Sequence, residues 1–396
     1  MKFVESMLEN LKPSFIKGGK FAFFYPLFEA METFALTPST VTTGKTHIRD
    51  ALDSKRLMTT VIISLFPCIL FALYNTGMQR LLALGQTPSL SNAMGYGLLA
   101  FLPLFIVTVV VGISWEVLFC MIRKEEVNEG FFVTMFLFPL TLPPTLPLWQ
   151  AAIAISFGVV IGKEVFGGTG MNIFNPALVA RAFLFFSYPG DISGENIWRF
   201  IDVSKEKVID GLTGATPLGV AASVARGKSV VEALSAEGYS FQALFFGTVP
   251  GSMGETSALA CLLGAVILIY TKIGSWRTMA GCVVGALGVG ILLNFLGGEG
   301  SNPMFFLPPH YHLVLGGFAF GAVFMATDPV SSSATSTGKW IYGICIGSFA
   351  ITFRVINPAY PEGMMLAILL MNAFAPLIDN GIEKSNIKRR LSRGTR

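Results

Sequence analysis

The amino-acid sequence predicts an all-α polytopic membrane protein of about ten transmembrane helices, each requiring about 20 apolar residues. Composition is the first observation: of 396 residues, 53% are hydrophobic, 13% are charged and 35 are Phe, with a mean hydropathy of +0.63. A soluble domain carries about 25% charged residues, so this chain has too little polar surface to stay in water. The second observation is a recurrence of apolar runs near 57–77, 96–121, 130–147, 148–166, 172–188, 255–271, 277–297, 312–327, 339–356 and 363–380. The third is the placement of Lys and Arg, which alternates between the connections as the positive-inside rule requires.

The elements follow in order. Residues 1–56 form a polar N-terminal segment with Lys2, Lys12, Lys17, Lys20, Lys45, Arg49, Lys55 and Arg56, and no apolar core of a signal peptide precedes a cleavage site. A first transmembrane half, 57–188, holds five of the runs; Pro143, Pro144 and Pro147 break any single helix through its middle. A polar loop, 189–240, separates it from a second half, 241–380, and a basic tail, 381–396, closes the chain. Arg123 with Lys124, Lys163, Lys272 with Arg277, and Lys339 mark one set of turns as cytoplasmic; Arg80 and Arg354 are the exceptions on the other set. An even number of spans puts both termini in the cytoplasm and the 189–240 loop outside, where its acids (Asp191, Glu195, Asp202, Glu206, Asp210, Glu232, Glu237) balance its bases. Asn175-Pro176-Ala177 recurs as Asn357-Pro358-Ala359, and Leu142-Pro143-Pro144 as Leu307-Pro308-Pro309. If these mark a duplication, two inverted repeats of five spans result, with sites at the breaks near the midplane.

Nucleic acid is excluded as a partner by the modest charge of +4, and the membrane class makes lipid the surrounding medium. The five cysteines all lie in apolar runs without metal-ligand spacing, and three histidines make no metal site. Chemistry is signalled elsewhere. In the outer loop, Asp210-Gly211-Leu212-Thr213-Gly214-Ala215-Thr216 presents two threonines around a small Gly214-Ala215 step, which leaves the Thr216 hydroxyl unshielded. Glu116, Arg181, Asp328 and Asp379 lie within or at the ends of apolar runs, where each ionised group costs roughly 2.5–3.5 kcal/mol at mid-bilayer. These acids suit a path for a small monovalent cation, though some pair with one another. The stretch Phe166-Gly167-Gly168-Thr169-Gly170-Met171-Asn172-Ile173-Phe174-Asn175-Pro176-Ala177-Leu178 supplies a backbone break and two carboxamides placed i, i+3. Those amides satisfy freed backbone groups or the edge of a heteroaromatic ring, beside the apolar rings of Phe183, Phe185 and Phe186. A flavin or quinone fits that mixture better than a sugar or a peptide.

These residues carry a resemblance. The run 210–216 resembles the flavinylation motif of the family comprising the B subunit of the Na⁺-translocating NADH:quinone reductase and the D subunit of the related Rnf complex. So do Phe166–Leu178, Arg181-Ala182-Phe183-Leu184-Phe185-Phe186, Phe324-Met325-Ala326-Thr327-Asp328-Pro329-Val330 and Asn357-Pro358-Ala359-Tyr360-Pro361-Glu362-Gly363-Met364-Met365. The long N-terminal segment, with Thr46-His47-Ile48-Arg49-Asp50, is similar to that of the quinone reductase member. The resemblance implies FMN attached by phosphoester to Thr216 by a separate flavin transferase, with Asp210, Gly214 and Ala215 flanking it. It also implies riboflavin near Asn172 and Asn175, in the region of Phe183 and Phe185, and reduction of ubiquinone or menaquinone with Gly112 in the quinone region. The family's glycine pair becomes Gly112-Ile113 in this chain. Acids matching a sodium pathway are Glu29, Glu116, Asp328 and Asp379. The implied partners are the other members of a six-subunit complex, including a periplasmic one that also carries covalent FMN, in the bacterial inner membrane. The D subunit of an Rnf complex, or a secondary transporter without redox chemistry, is the alternative.

Overall fold

A computed structural model describes residues 54–394 except 125–129, 195–196, 202–213, 299 and 358–361, together with positions 11–15, 19, 21, 25 and 28. Most of the 1–56 segment, Glu29 and Asp210 lie outside the described residues. No strand occurs among the described residues. Among the described residues six helices are long and apolar enough to cross a membrane, and three shorter apolar ones, Gly130–Leu140, Pro176–Ser187 and Ala258–Tyr270, accompany them.

The helices that carry the fold are taken in chain order as α1 to α12. The first five are α1 Ser54–Ala83, α2 Leu90–Arg123, α3 Gly130–Leu140, α4 Leu148–Val160 and α5 Pro176–Ser187. Three short ones build the loop region: α6 Pro217–Ser223, α7 Val230–Ala236 and α8 Phe241–Phe246. The last four are α9 Ala258–Tyr270, α10 Trp276–Leu296, α11 Ser336–Ile356 and α12 Met364–Gly394. A helix that starts in lipid cannot leave its first N–H groups to water. The starts are accordingly capped: the side chains of Ser89, Asn175, Ser257, Ser275 and Thr335 accept from the backbones of Asn92, Ala177, Ala260, Thr278 and Gly338.

Close contacts fix the path of the chain. A Cβ at Gly77 would fall 1.8 Å from the Ala93 carbonyl oxygen, and one at Gly97 1.8 Å from that of Leu73, so α1 and α2 run antiparallel with backbones touching. Trp115 to Ser156 and Glu116 to Lys163 make α2 parallel to α4, so α3 must recross between them. Cys68 beside Cys261, and Gly264 against Ser64, set α9 antiparallel to α1. Gly281 and Gly285 of α10 pack on Gly343 and Ile344 of α11, and Gly347 packs on Cys282 and Ala286, which makes these two helices parallel. The segment 297–335 between them therefore crosses the membrane too. Tyr342 bonded to Asn372, together with Gly363 against Ala350, turns α12 antiparallel to α11. These directions give ten crossings, with the start of α1 and the end of α12 on one face.

Two crossings are broken, as their prolines and glycines predict. The third is helical only to Leu140, with Pro139 inside it. The eighth consists of one turn at Tyr311–Val314, an extended Leu315, and a resumed coil whose Gly321–Met325 part is π-wound. The fifth helix begins at Pro176, later than the apolar run suggests, because Asn175 caps it. Irregular backbone at this depth needs internal partners. Leu142 and Leu140 carbonyls accept from the N–H groups of Met253 and Gly254 at 3.2 and 2.7 Å. The fully buried Arg354 donates to the carbonyls of His312 and Leu315 at 2.8 and 2.9 Å.

Candidate functional site

The threonine turn opens onto a cavity on the face away from the start of α1 and the end of α12. Thr216 is extended (φ −69°, ψ 156°) and caps α6, its Oγ accepting from the Gly219 N–H at 3.1 Å. Pro217 follows at the first helical position, where a missing N–H costs nothing. The preceding carbonyl, Ala215 O, accepts from the Tyr239 hydroxyl at 2.9 Å, so the loop beyond α7 holds the turn in place. Burial pushes the Tyr239 phenol up to about 12, opposed by the nearby Arg199 guanidinium. The same burial lowers the pKa of Arg199. The cavity measures about 340 Å³, and its walls include Phe185, Trp198, Ala215, Thr216, Val249 and Met365.

Its floor is charged. Arg181 of α5 donates to Glu255 at 2.6 Å, to Glu362 at 2.6 Å and to Ser252 at 3.3 Å. The Arg181 and Glu255 side chains are buried at 5% and 6% exposure, while Glu362 keeps 21%. All four residues line the cavity. Glu255 is locked from behind, since a Cβ at Gly317 would fall 2.8 Å from its carboxylate. Glu255, Glu362 and Tyr239 are not singled out by the sequence pattern. Arg181 sits 74 and 181 residues from its two carboxylates, so no local spacing announces the cluster.

The second cavity, about 70 Å³, lies at the opposite face and is lined by Thr134, Lys163, Thr169, Asn172, Asn175 and Asp328, among others. Asn172 and Asn175 do meet there, but not as one helical face, because Asn172 precedes the helix. Asn175 Oδ1 accepts from the Ala177 N–H at 3.0 Å, and Asn172 Nδ2 donates to the Phe174 carbonyl at 2.9 Å. Asp328 accepts from the Ser331 hydroxyl at 2.6 Å. Lys163 Nζ reaches Glu116 at 2.6 Å and Glu164 at 3.9 Å, and Arg123 reaches Glu164 at 2.7 Å. Lys163, read from the sequence as a loop cation, is thus a buried partner of Glu116. Gly168, at φ +93°, lets this loop turn against Arg123 in a conformation L-residues rarely adopt.

Other candidates are dispersed. Phe183 stacks on Phe157 of α4 at 4.7 Å, and Phe185 faces the Thr216 cavity, so neither joins the two asparagines. Gly112 accommodates the Phe131 ring where α2 meets α3. Asp379 accepts from the Ser333 and Thr335 hydroxyls at 2.7 and 2.6 Å and from two backbone N–H groups, anchoring the start of α11. Among the described residues no group of three His, Cys, Asp or Glu is placed to hold a metal ion.

Comparison with known proteins places this architecture. The profile of the NQR2, RnfD, RnfE family matches residues 41–388. The chain belongs to that family. Similar proteins each bear the name of the B subunit of a Na(+)-translocating NADH-quinone reductase. That of Ectopseudomonas mendocina is 49% identical over 98% of this chain and 99% of its own length. The Azotobacter vinelandii protein is 48% identical over the same shares, and the Klebsiella pneumoniae protein 47% over 99% and 100%. With its apolar helices and full-length bacterial relatives, this member of the family is a multi-pass protein of the bacterial inner membrane.

Proposed function

We propose that the chain is the membrane-embedded B subunit of a sodium-translocating NADH:quinone reductase, that Thr216 carries FMN as a phosphoester, and that electrons pass through it toward ubiquinone or menaquinone. The observation that carries this reading is the Thr216 hydroxyl at the wall of a cavity of about 340 Å³. Ligand pockets run from about 300 to 1,000 Å³, so a tricyclic ring fits there. Bound FMN would supply one-electron transfer between a partner flavoprotein on the outer face and carriers deeper in the membrane.

The chain's own residues do the rest. The Thr216 Oγ would be the ester oxygen that holds the FMN phosphate, and Pro217 and Tyr239 fix the turn that carries it. Phe185 and Met365 give the cavity apolar walls, and Arg181 holds a positive charge against it. Basic residues at both chain ends and along the shared set of turns put this cavity outside and the Asn172 cavity at the cytoplasmic face. At about 70 Å³ the latter is too small for riboflavin as the described residues line it. The site suits a small ion or water. Glu116, Asp328 and Asp379, with Glu29, remain the acids proposed for sodium passage. Glu116 would have to exchange Lys163 for the ion.

In-gel flavin fluorescence of the denatured polypeptide tests the assignment. The unmodified chain gives a fluorescent band, Thr216→Ala gives none, and Thr216→Ser retains part because it keeps the hydroxyl. A band that persists in Thr216→Ala would move the attachment elsewhere. Absence of any band from the unmodified chain, matured with its transferase, would favour a transporter without redox chemistry.

A further inference from the structure

We infer that Arg181, clamped between Glu255 and Glu362, is the positioning residue that sets how readily the Thr216 cavity accepts an electron. The inference rests on the flavin reading of that cavity and concerns residues on its opposite wall.

The cluster is unusual in cost. A guanidinium and two carboxylates are expensive to bury, and apolar residues of similar volume pack as well or better. A clamp needed only for stability would not require them. Yet three segments far apart in the chain converge here: α5, the irregular backbone between α8 and α9, and the approach to α12. Gly316 and Gly317 complete the packing without side chains, and both line the same cavity. All three charged groups face a space that Phe185, Leu244, Val249 and Met365 line from the apolar side and Ser193, Ser223 and Thr256 from the polar side.

Charge on groups this far buried acts more strongly than in bulk water, and the Arg181 and Glu255 side chains keep only 5% and 6% exposure. One electron arriving from the partner flavoprotein adds one negative charge to the cavity. Arg181 offsets that charge, whereas Glu255 and Glu362 oppose it. The two carboxylates also prevent the guanidinium from swinging toward the cavity, so the balance is fixed before the electron arrives. Preorganised charge of this kind stabilises a developing charge without reorganisation. Removing a carboxylate must then make reduction easier, and removing the guanidinium must make it harder. A merely structural role moves neither in a signed way.

The test is a spectroelectrochemical titration of the purified complex. The Thr216→Ala complex, titrated in parallel, is subtracted so that only the flavin on Thr216 is followed. Glu362→Gln preserves shape at the part-exposed carboxylate and is expected to shift the equilibrium toward the reduced form by about tenfold, 59 mV for one electron. Arg181→Gln shifts it the opposite way. Because Arg181→Gln strands two carboxylates and can prevent assembly, Glu362→Gln is the deciding variant. A Glu362→Gln complex with a full fluorescent band and an unchanged midpoint overturns the inference. Loss of the band from the unmodified chain would instead overturn the flavin reading, so the two failures are distinct.

Discussion

At the scale of single residues, the turn at Thr216 is held from outside the motif. Four features fix it: the Gly219 N–H on the Thr216 Oγ, Pro217 in the first helical position, the extended backbone of Thr216 itself, and the Tyr239 hydroxyl on the Ala215 carbonyl. A hydrogen bond of this kind contributes on the order of 1 kcal/mol, about a fivefold effect on an equilibrium. Tyr239→Phe should therefore slow flavin attachment by several-fold while leaving Thr216 itself intact, measured as the rate at which the fluorescent band appears when transferase is supplied. Attachment at the unmodified rate would remove Tyr239 from the account. The pH dependence has a definite sign. The phenol titrates near 10 when unfolded and near 12 in place, so its contribution is complete below pH 10 and is lost between about 10 and 12. Protease sensitivity of the loop should rise in that window and be less pH-dependent in Tyr239→Phe.

At the scale of elements, small residues decide which helices touch. Gly281 and Gly285 on α10 and Gly343 and Gly347 on α11 form facing small-xxx-small patterns, a device that lets backbones approach in lipid. A Cβ at Gly285 would fall 2.1 Å from the Ile344 carbonyl oxygen, and one at Gly347 2.0 Å from that of Cys282. Backbone cannot yield as a flexible side chain does. Gly285→Leu should therefore cost well over the roughly 1–3 kcal/mol typical of overpacking and lower the thermal midpoint in detergent by several degrees. Gly288→Leu is the control: it lies on the same helix with nothing within 4 Å, and its midpoint should stay within a degree or two of the parent. Equal losses in both would mean that leucine harms α10 wherever it sits. Such apolar runs and proline breaks were legible in the sequence, because hydropathy and Pro chemistry are local. The start of α5 was misplaced because Asn172 and Asn175 look alike by spacing, and only the cap geometry separates them. The Arg181 cluster and the Glu116–Lys163 pair were illegible for a different reason: their partners come from other segments, and burial of a charge leaves no trace in spacing.

At the scale of the molecule, the fold sets two cavities on opposite faces and joins them by one short helix. Asn175 caps α5 beside the smaller cavity, and Phe185 of the same helix lines the larger one. At about 1.5 Å of rise per residue, Pro176 and Phe185 stand roughly 14 Å apart along the axis. Arg181 lies between them. On the proposed flavin reading, an electron leaving the Thr216 cavity along α5 would move inward past the charge cluster, toward the face where Asp328 and Lys163 gather. That direction depends on which face is outside, and the helix pairings alone give only parity: ten crossings, ends together. Charge asymmetry supplies the sign, and a labelling experiment checks it. Lys228 in the loop and Lys384 near the end of α12 are both exposed. A membrane-impermeant maleimide applied to intact spheroplasts should modify Lys228→Cys and spare Lys384→Cys, and inverted vesicles should reverse the pattern. The five native cysteines are buried or partly buried in helices, and their background is measured with the parent chain. If Lys384→Cys reacts from outside while Lys228→Cys does not, Thr216 faces the cytoplasm. The proposed electron route from the Thr216 cavity would then run outward, and the placing of that cavity on the outer face would have to be abandoned.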